Sequence, residues 1–148
     1  DPDATADKFT THGLRTGDVA VVDDDGFIYV VDRVDDFIKS WGYRISSQEI
    51  EATALRIPEL VSAAVIGVPD PAAGESIELF AMARVGSAPA ENEVLAFLRA
   101  QLAKHMVPRH VHFVTELPLN SAGKIVKGPL RDLAQQLHAE AGEAEQRA

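Results

Sequence analysis

The chain has 148 residues, 46% hydrophobic and 25% charged, a balance that suits one modest globular domain with a real core. Fourteen basic against 23 acidic residues leave a net charge of −9, an average field that repels nucleic acid. No apolar run reaches the roughly 20 residues of a membrane span, and the lack of cysteine excludes disulfides and thiolate chemistry.

A chain without cysteine fits the cytoplasm. The opening DPDATAD begins at Asp1 and has neither the basic nor the apolar region of a signal peptide. It reads as the cut end of a longer polypeptide; the plainer reading is a processed or tag-stripped complete protein.

In chain order, residues 18–32 predict a hairpin, because two β-branched runs flank Asp24-Asp25-Gly26. A shorter pair of strands follows at 37–39 and 43–45, joined by Ser40-Trp41-Gly42. Ser46 and Glu49 have the spacing of a capping box, and Ile50, Ala54 and Ile57 make one apolar helical face that Pro58 closes. Residues 60–68 and 77–85 suit partner strands. Val94, Leu95, Leu98 and Leu102 share the face of a helix over 91–104. A short strand near 111–115, a turn-rich LPLNSAGK stretch and a last helix near 129–138 complete the pattern.

This order predicts an α+β fold: a small, mostly antiparallel sheet packed with about three helices on one side. Residues 1–34 stand apart as a hairpin left over from a preceding domain. Residues 35–138 form the domain proper, and the small, charged stretch 139–148 reads as a frayed tail.

Four stretches call for a chemical explanation, and each has a bland one. Gly17-Asp18 is either a simple turn or a carboxylate fixed to accept hydrogen bonds from vicinal hydroxyls. The mixed charges from Asp32 to Glu51 are either a solvated face or a functional linker. Lys104-His105-Met106-Val107-Pro108 is at least a helix stop. Asn120-Ser121-Ala122-Gly123-Lys124 is a turn whose lysine is either solvated or a mobile cation for a phosphate, and it lacks P-loop spacing. No residue stands out as a metal ligand.

Taken together and in order, these stretches resemble the C-terminal domain of the acyl-adenylating superfamily, which includes acyl-CoA synthetases, luciferase and peptide-synthetase adenylation domains. The family's motifs appear as LRTGD (14–18), DDDGFIYV (23–30), RVDDFIKSWGYRISSQEIE (33–51), MVP (106–108) and LPLNSAGK (117–124), so the resemblance covers about residues 9–135. Asp32 stands where many members have Gly, which leans towards the acyl-CoA synthetase and luciferase branches. Lys127-Gly128-Pro129 replaces a more usual polar-Arg pair.

The resemblance implies two half-reactions in the full-length enzyme. A carboxylic acid attacks Mg-ATP to give acyl-AMP, and the thiol of coenzyme A or of a carrier protein's phosphopantetheine then displaces AMP. ATP, Mg2+ and coenzyme A are its expected cofactors, none of them bound by this chain alone. The chain's own N-terminal domain, absent here, is the expected partner, and the C-terminal domain rotates between the two steps. By the same resemblance Lys124 is the adenylation lysine, Asp18 and Arg33 serve the nucleotide, Asp35 is the hinge, and Gly42 with Arg44 lines the pantetheine path. The expected function is therefore that of a piece of an AMP-forming acyl-CoA ligase. Alternatives are a ligase that loads a carrier protein and a non-catalytic interaction domain of the same fold. Intact Lys124, Asp18 and Arg33 argue against the last.

Overall fold

A computed structural model describes residues 9–11, 13, 14, 16–33 and 37–146. The chain divides into two compact units, Asp1–Phe37 and Ile38–Ala148.

Among the described residues, the first unit shows two antiparallel ribbons. β1 (Phe9–Thr10) pairs with β2 (Gly13–Leu14), and β3 (Asp18–Val22) pairs with β4 (Ile28–Arg33). Asp23 builds the turn of the second ribbon. Its Oδ1 accepts from the Asp25 and Phe27 N–H groups at 3.1 and 2.9 Å, and its Oδ2 accepts from the Tyr29 hydroxyl at 3.0 Å. The Phe27 N–H, above all, holds the Asp23 carboxyl below its ordinary value.

The second unit is a five-stranded sheet with three helices. β5 (Phe37–Ser40) and β6 (Tyr43–Ser46) lead into helix α1 (Ser47–Ala54). The long strands β7 (Leu60–Asp70) and β8 (Gly74–Ala83) pair antiparallel along their whole length. Helix α2 (Glu91–Gln101) then carries the chain back to β9 (His110–Phe113), and α3 (Lys127–Gln146) ends it. The strand order is β6-β5-β8-β7, with β9 parallel to β8, so the sheet is mostly antiparallel with one parallel pair. That pair exists because a helical crossover returns the chain to the same end of the sheet. Ser46 caps α1 as the sequence predicts, its Oγ accepting from the Glu49 N–H at 3.4 Å.

One expectation fails. The helices do not lie on one side of the sheet. Ala63, Val65, Ile77, Leu79, Ala81 and Val111 pack against Ile50 and Ala54 of α1 and Val94, Leu95 and Leu98 of α2. Alternate residues Ala64, Ile66, Val68 and Phe80 form a second core with Leu117 and with Leu130 and Ala134 of α3. Residues 63–68 are therefore all buried. Their unbroken apolar run, without alternation, is the pattern of a strand covered on both faces. The last helix also extends past residue 138, to Gln146, through a stretch rich in Ala, Glu and Gln that favours helix.

α3 is tied to α1 and β7 by charge. Lys127 Nζ donates to the fully buried Ser47 Oγ at 2.7 Å and pairs with Glu51 Oε1 at 3.0 Å; that same oxygen accepts from the Val65 N–H at 2.8 Å. The lysine that departs from the family pattern, and the last glutamate of the long charged motif, thus share a structural task. Lys127→Met leaves the Glu51 carboxylate half-buried without its cation, and unfolding of the chain in urea is expected to show a loss of about 2–3 kcal/mol. A loss under about 0.5 kcal/mol, the scale of an ordinary surface substitution, would refute the clamp.

Candidate functional site

Lys124 sits on a loop whose shape is set by one side chain. Asn120 Oδ1 accepts from the N–H groups of Ala122 and Lys124, both at 2.9 Å, while the Asn120 N–H donates to the Lys124 carbonyl at 2.8 Å. Asn does this because its short amide reaches backbone two and four residues on. Gly123 supplies φ +75 at the tip, and Leu119 and Ile125 bridge its base. Buried Leu117 before the loop and Ile125 after it anchor both ends in the core beneath α3. The result is a braced turn that presents an exposed lysine. Its ammonium makes no ion pair among the described residues. In a chain of net charge −9, a cation held out from its own carboxylates is available to an anion from outside.

Asp18 and Arg33, 15 positions apart in sequence, are directly opposed across the β3–β4 ribbon as paired Cα positions. The resemblance implies that both serve the nucleotide, and the register pairs their backbone positions. Thr16 Oγ1 accepts from the Asp18 N–H at 3.3 Å. Asp35, the expected hinge, lies outside the described residues. Val21, Val22, Phe27, Ile28, Tyr29 and Val30 of this ribbon are each more than half exposed.

The turn from β5 to β6 has positive φ at both central residues, +51 at Trp41 and +81 at Gly42. That is the geometry of a tight two-residue hairpin turn, and a tryptophan held there is strained. Trp41 N–H donates to the Ala73 carbonyl at 2.8 Å, which fixes the turn against the β7–β8 connection. A Cβ built on Gly42 meets nothing within 4 Å, so within this chain the glycine answers to backbone conformation rather than crowding. Arg44 is exposed one residue into β6.

Next to the turn, the Tyr43 ring stacks on the His105 ring with centroids 4.1 Å apart. Ser40, Trp41, Lys104, His105 and Arg109 line a cleft of about 330 Å³, and Asp70 faces it. Asp70 is paired with Arg109 at 3.0 Å. Its carboxyl is held below the ordinary value by the Ala73 and Ala72 N–H groups, with Arg109 adding to them. The cleft therefore carries Lys104 and His105 beside an Arg109–Asp70 pair that is already neutral as a unit. The sequence marks Gly42 and the Lys104-His105-Met106 turn separately. Nothing in their spacing of some sixty positions signals that Trp41, Tyr43 and His105 meet, because the whole β7–β8 hairpin and α2 intervene. Lys124 is not part of this cleft's lining, so the two expected functional faces are separate surfaces.

No helix among the described residues is long and apolar enough to cross a membrane. The chain is 49% identical over 119 residues to a 3-methylmercaptopropionyl-CoA ligase of Ruegeria lacuscaerulensis, covering 80% of this chain and 22% of that protein. It is 42% identical over 130 residues to a feruloyl-CoA synthase of an Amycolatopsis species, covering 88% and 26%. Its fold is similar to that of ATP-bound MatB from Rhodopseudomonas palustris, with TM-score 0.83 and 33% identity over 92% of this chain and 27% of the other. The chain thus spans about a quarter of the length of the relatives it matches. Residues 49–124, which run from the first turn of α1 to the lysine of the braced loop, match the AMP-binding enzyme C-terminal domain, and the chain belongs to that family.

Proposed function

We propose that this chain is the moving C-terminal part of an AMP-forming acyl-CoA ligase that works in the cytoplasm on a carboxylic acid, with Mg-ATP and coenzyme A. The observation that carries the reading is the braced loop that presents Lys124. Adenylation drives a carboxylate against an α-phosphate, two anions, and needs a cation that is not already spent on the domain's own acids. Asp18 and Arg33, opposed on one ribbon, suit the ribose hydroxyls and their support. The exposed apolar side chains of that ribbon suit contact with the N-terminal domain of the same enzyme. Asp35, two positions in sequence before the end of the first unit at Phe37, is the proposed hinge.

The cleft beside Gly42 favours coenzyme A over a carrier protein as acceptor. Coenzyme A brings a nucleotide with its own phosphates, which Lys104 and His105 can meet beside the Arg109–Asp70 pair; a carrier-bound pantetheine brings one phosphodiester. Arg44, on the strand that leaves the turn, stands near the thiol arm's path.

The test is pyrophosphate release, then thioester formation, by the full-length enzyme over a panel of carboxylic acids. At least one acid should support both steps with coenzyme A. The pure 148-residue chain should support no ATP–pyrophosphate exchange, since positioning of both substrates belongs to the rest of the enzyme. Exchange by the chain alone would sink the reading.

A further inference from the structure

Away from the Lys124 loop and the Gly42 cleft, a polar cluster is built into the second core. Glu78 on β8 has a fully buried side chain. Its Oε2 lies 2.7 Å from Nε2 of His112 on β9, and its Oε1 lies 3.2 Å from Nε2 of His138 on α3. Ser76 Oγ donates to Oε1 at 3.1 Å. The fold makes this meeting unavoidable. Glu78 and Phe80 point to the same face of β8, and the parallel register sets His110 beside Glu78 and His112 beside Phe80. On α3, Leu130 and Ala134 cover that face, and His138 is the next residue of the same stripe, four positions on. The Phe80 ring lies 4.7 Å from the His112 ring and orients it.

Two features of this cluster are unexplained by folding alone. A carboxylate out of water is costly unless a cation neutralises it. In addition, His138 Nε2 is buried and makes no hydrogen bond of proper geometry, although it stands at ion-pair distance from Glu78. A buried nitrogen aimed at a carboxylate without bonding to it is a donor atom in need of a partner.

We propose that Glu78, His112 and His138 bind a late first-row divalent cation, with Zn2+ the cellular occupant, and that the ion ties α3 to the sheet. One ligand atom from each residue lies within 4.8 Å of the others. In a tetrahedron with bonds of about 2.0 Å, neighbouring ligands stand about 3.3 Å apart; the two imidazoles are already 2.7 and 3.2 Å from the Glu78 carboxylate, and the ligand atoms must draw in from at most 4.8 Å. Two imidazole nitrogens and one carboxylate suit zinc and its neighbours, whereas Mg2+ and Ca2+ demand oxygen. Ser76 steadies the carboxylate from the second layer. The His138 side chain is 37% exposed, which puts this ligand at the edge of the cluster nearest solvent. The His110 ring stands at the rim, 5.9 Å from that of His138. The proposal does not rest on the ligase reading and is distinct from the Mg2+ that accompanies ATP.

The test uses the purified 148-residue chain without a histidine tag, stripped by chelator and titrated with Zn2+ by calorimetry and with Co2+ by visible absorbance. One equivalent should bind, Co2+ should develop ligand-field bands of a nitrogen–oxygen site, and Zn2+ should raise the thermal midpoint, since it binds the folded state. His138→Ala, at the open edge, leaves the buried Glu78–His112 pair in place and should weaken Zn2+ binding by about 100-fold, and Ser76→Ala by about tenfold. His138→Ala keeps the test decisive should Glu78→Gln fail to fold. Absence of saturable Zn2+ binding, or binding by His138→Ala and His112→Ala as tight as that of the unaltered chain, overturns the proposal and leaves the cluster a carboxylate neutralised by imidazolium alone.

Discussion

Lys124→Ala in the full-length enzyme is expected to slow acyl-AMP formation by about a thousandfold and to leave thioester formation from supplied acyl-AMP nearly unchanged. The magnitude follows from Coulomb's law: a cation ~4 Å from an anion is worth about 4 kcal/mol at an effective dielectric near 20, or roughly three powers of ten in rate. The selectivity follows from placement. The lysine is needed where carboxylate meets phosphate, and the braced loop lies outside the cleft proposed for the thiol step. The substitution should also be silent for folding. Lys124 is exposed, and the loop is held by the Asn120 side chain and by backbone contacts that alanine retains. Single-turnover rates for the two half-reactions, with the thermal midpoint of the variant, decide the matter. Equal losses in both steps at an unchanged midpoint would remove Lys124 from the adenylation step.

Gly42 is expected to show the opposite preference, and the structure dictates which substitution can reveal it. Its φ of +81 strains any branched or bulky residue, so Gly42→Leu confounds obstruction of a thiol arm with a broken turn. Asn tolerates the left-handed region far better and adds a side chain into space that is open in this chain. Gly42→Asn should therefore keep the fold and adenylation while lowering thioester formation by about 100-fold, equivalent to ~2.7 kcal/mol of lost transition-state stabilisation. Gly42→Leu should lose thioester formation and also about 1–2 kcal/mol of stability. If Gly42→Asn transfers the acyl group at the normal rate, the glycine serves the turn alone and the pantetheine path lies elsewhere.

Much of this was legible in the residues because it is local. Asp24-Asp25-Gly26 marks a hairpin, Ser46 with Glu49 marks a helix start, and Asn120 to Lys124 marks a turn, each through contacts between residues at most a few positions apart. The motif order from Leu14 to Lys124 pointed to the family, which the match over residues 49–124 bears out. The unbroken apolar run of β7 carried more information than an expectation of helices on one side extracted from it: a strand with no polar alternation has no wet face.

What sequence alone determined was therefore most of the elements from residue 18 onward, the family, and the turn that carries the lysine, since each depends on short-range spacing and order; the β1–β2 ribbon was not read from it. The tertiary structure decided which distant residues meet. Pairing of β3 with β4 set Asp18 opposite Arg33, and the β5–β6 turn packed Tyr43 onto His105. Parallel pairing of β9 with β8, under a helix on the second face, gathered Glu78, His112 and His138 from positions up to 60 residues apart. Such meetings depend on register and on which face a helix covers. A shift of one residue in either strand would send that strand's own side chain, Glu78 or His112, to the opposite face and break up the cluster, and no short-range pattern records the register.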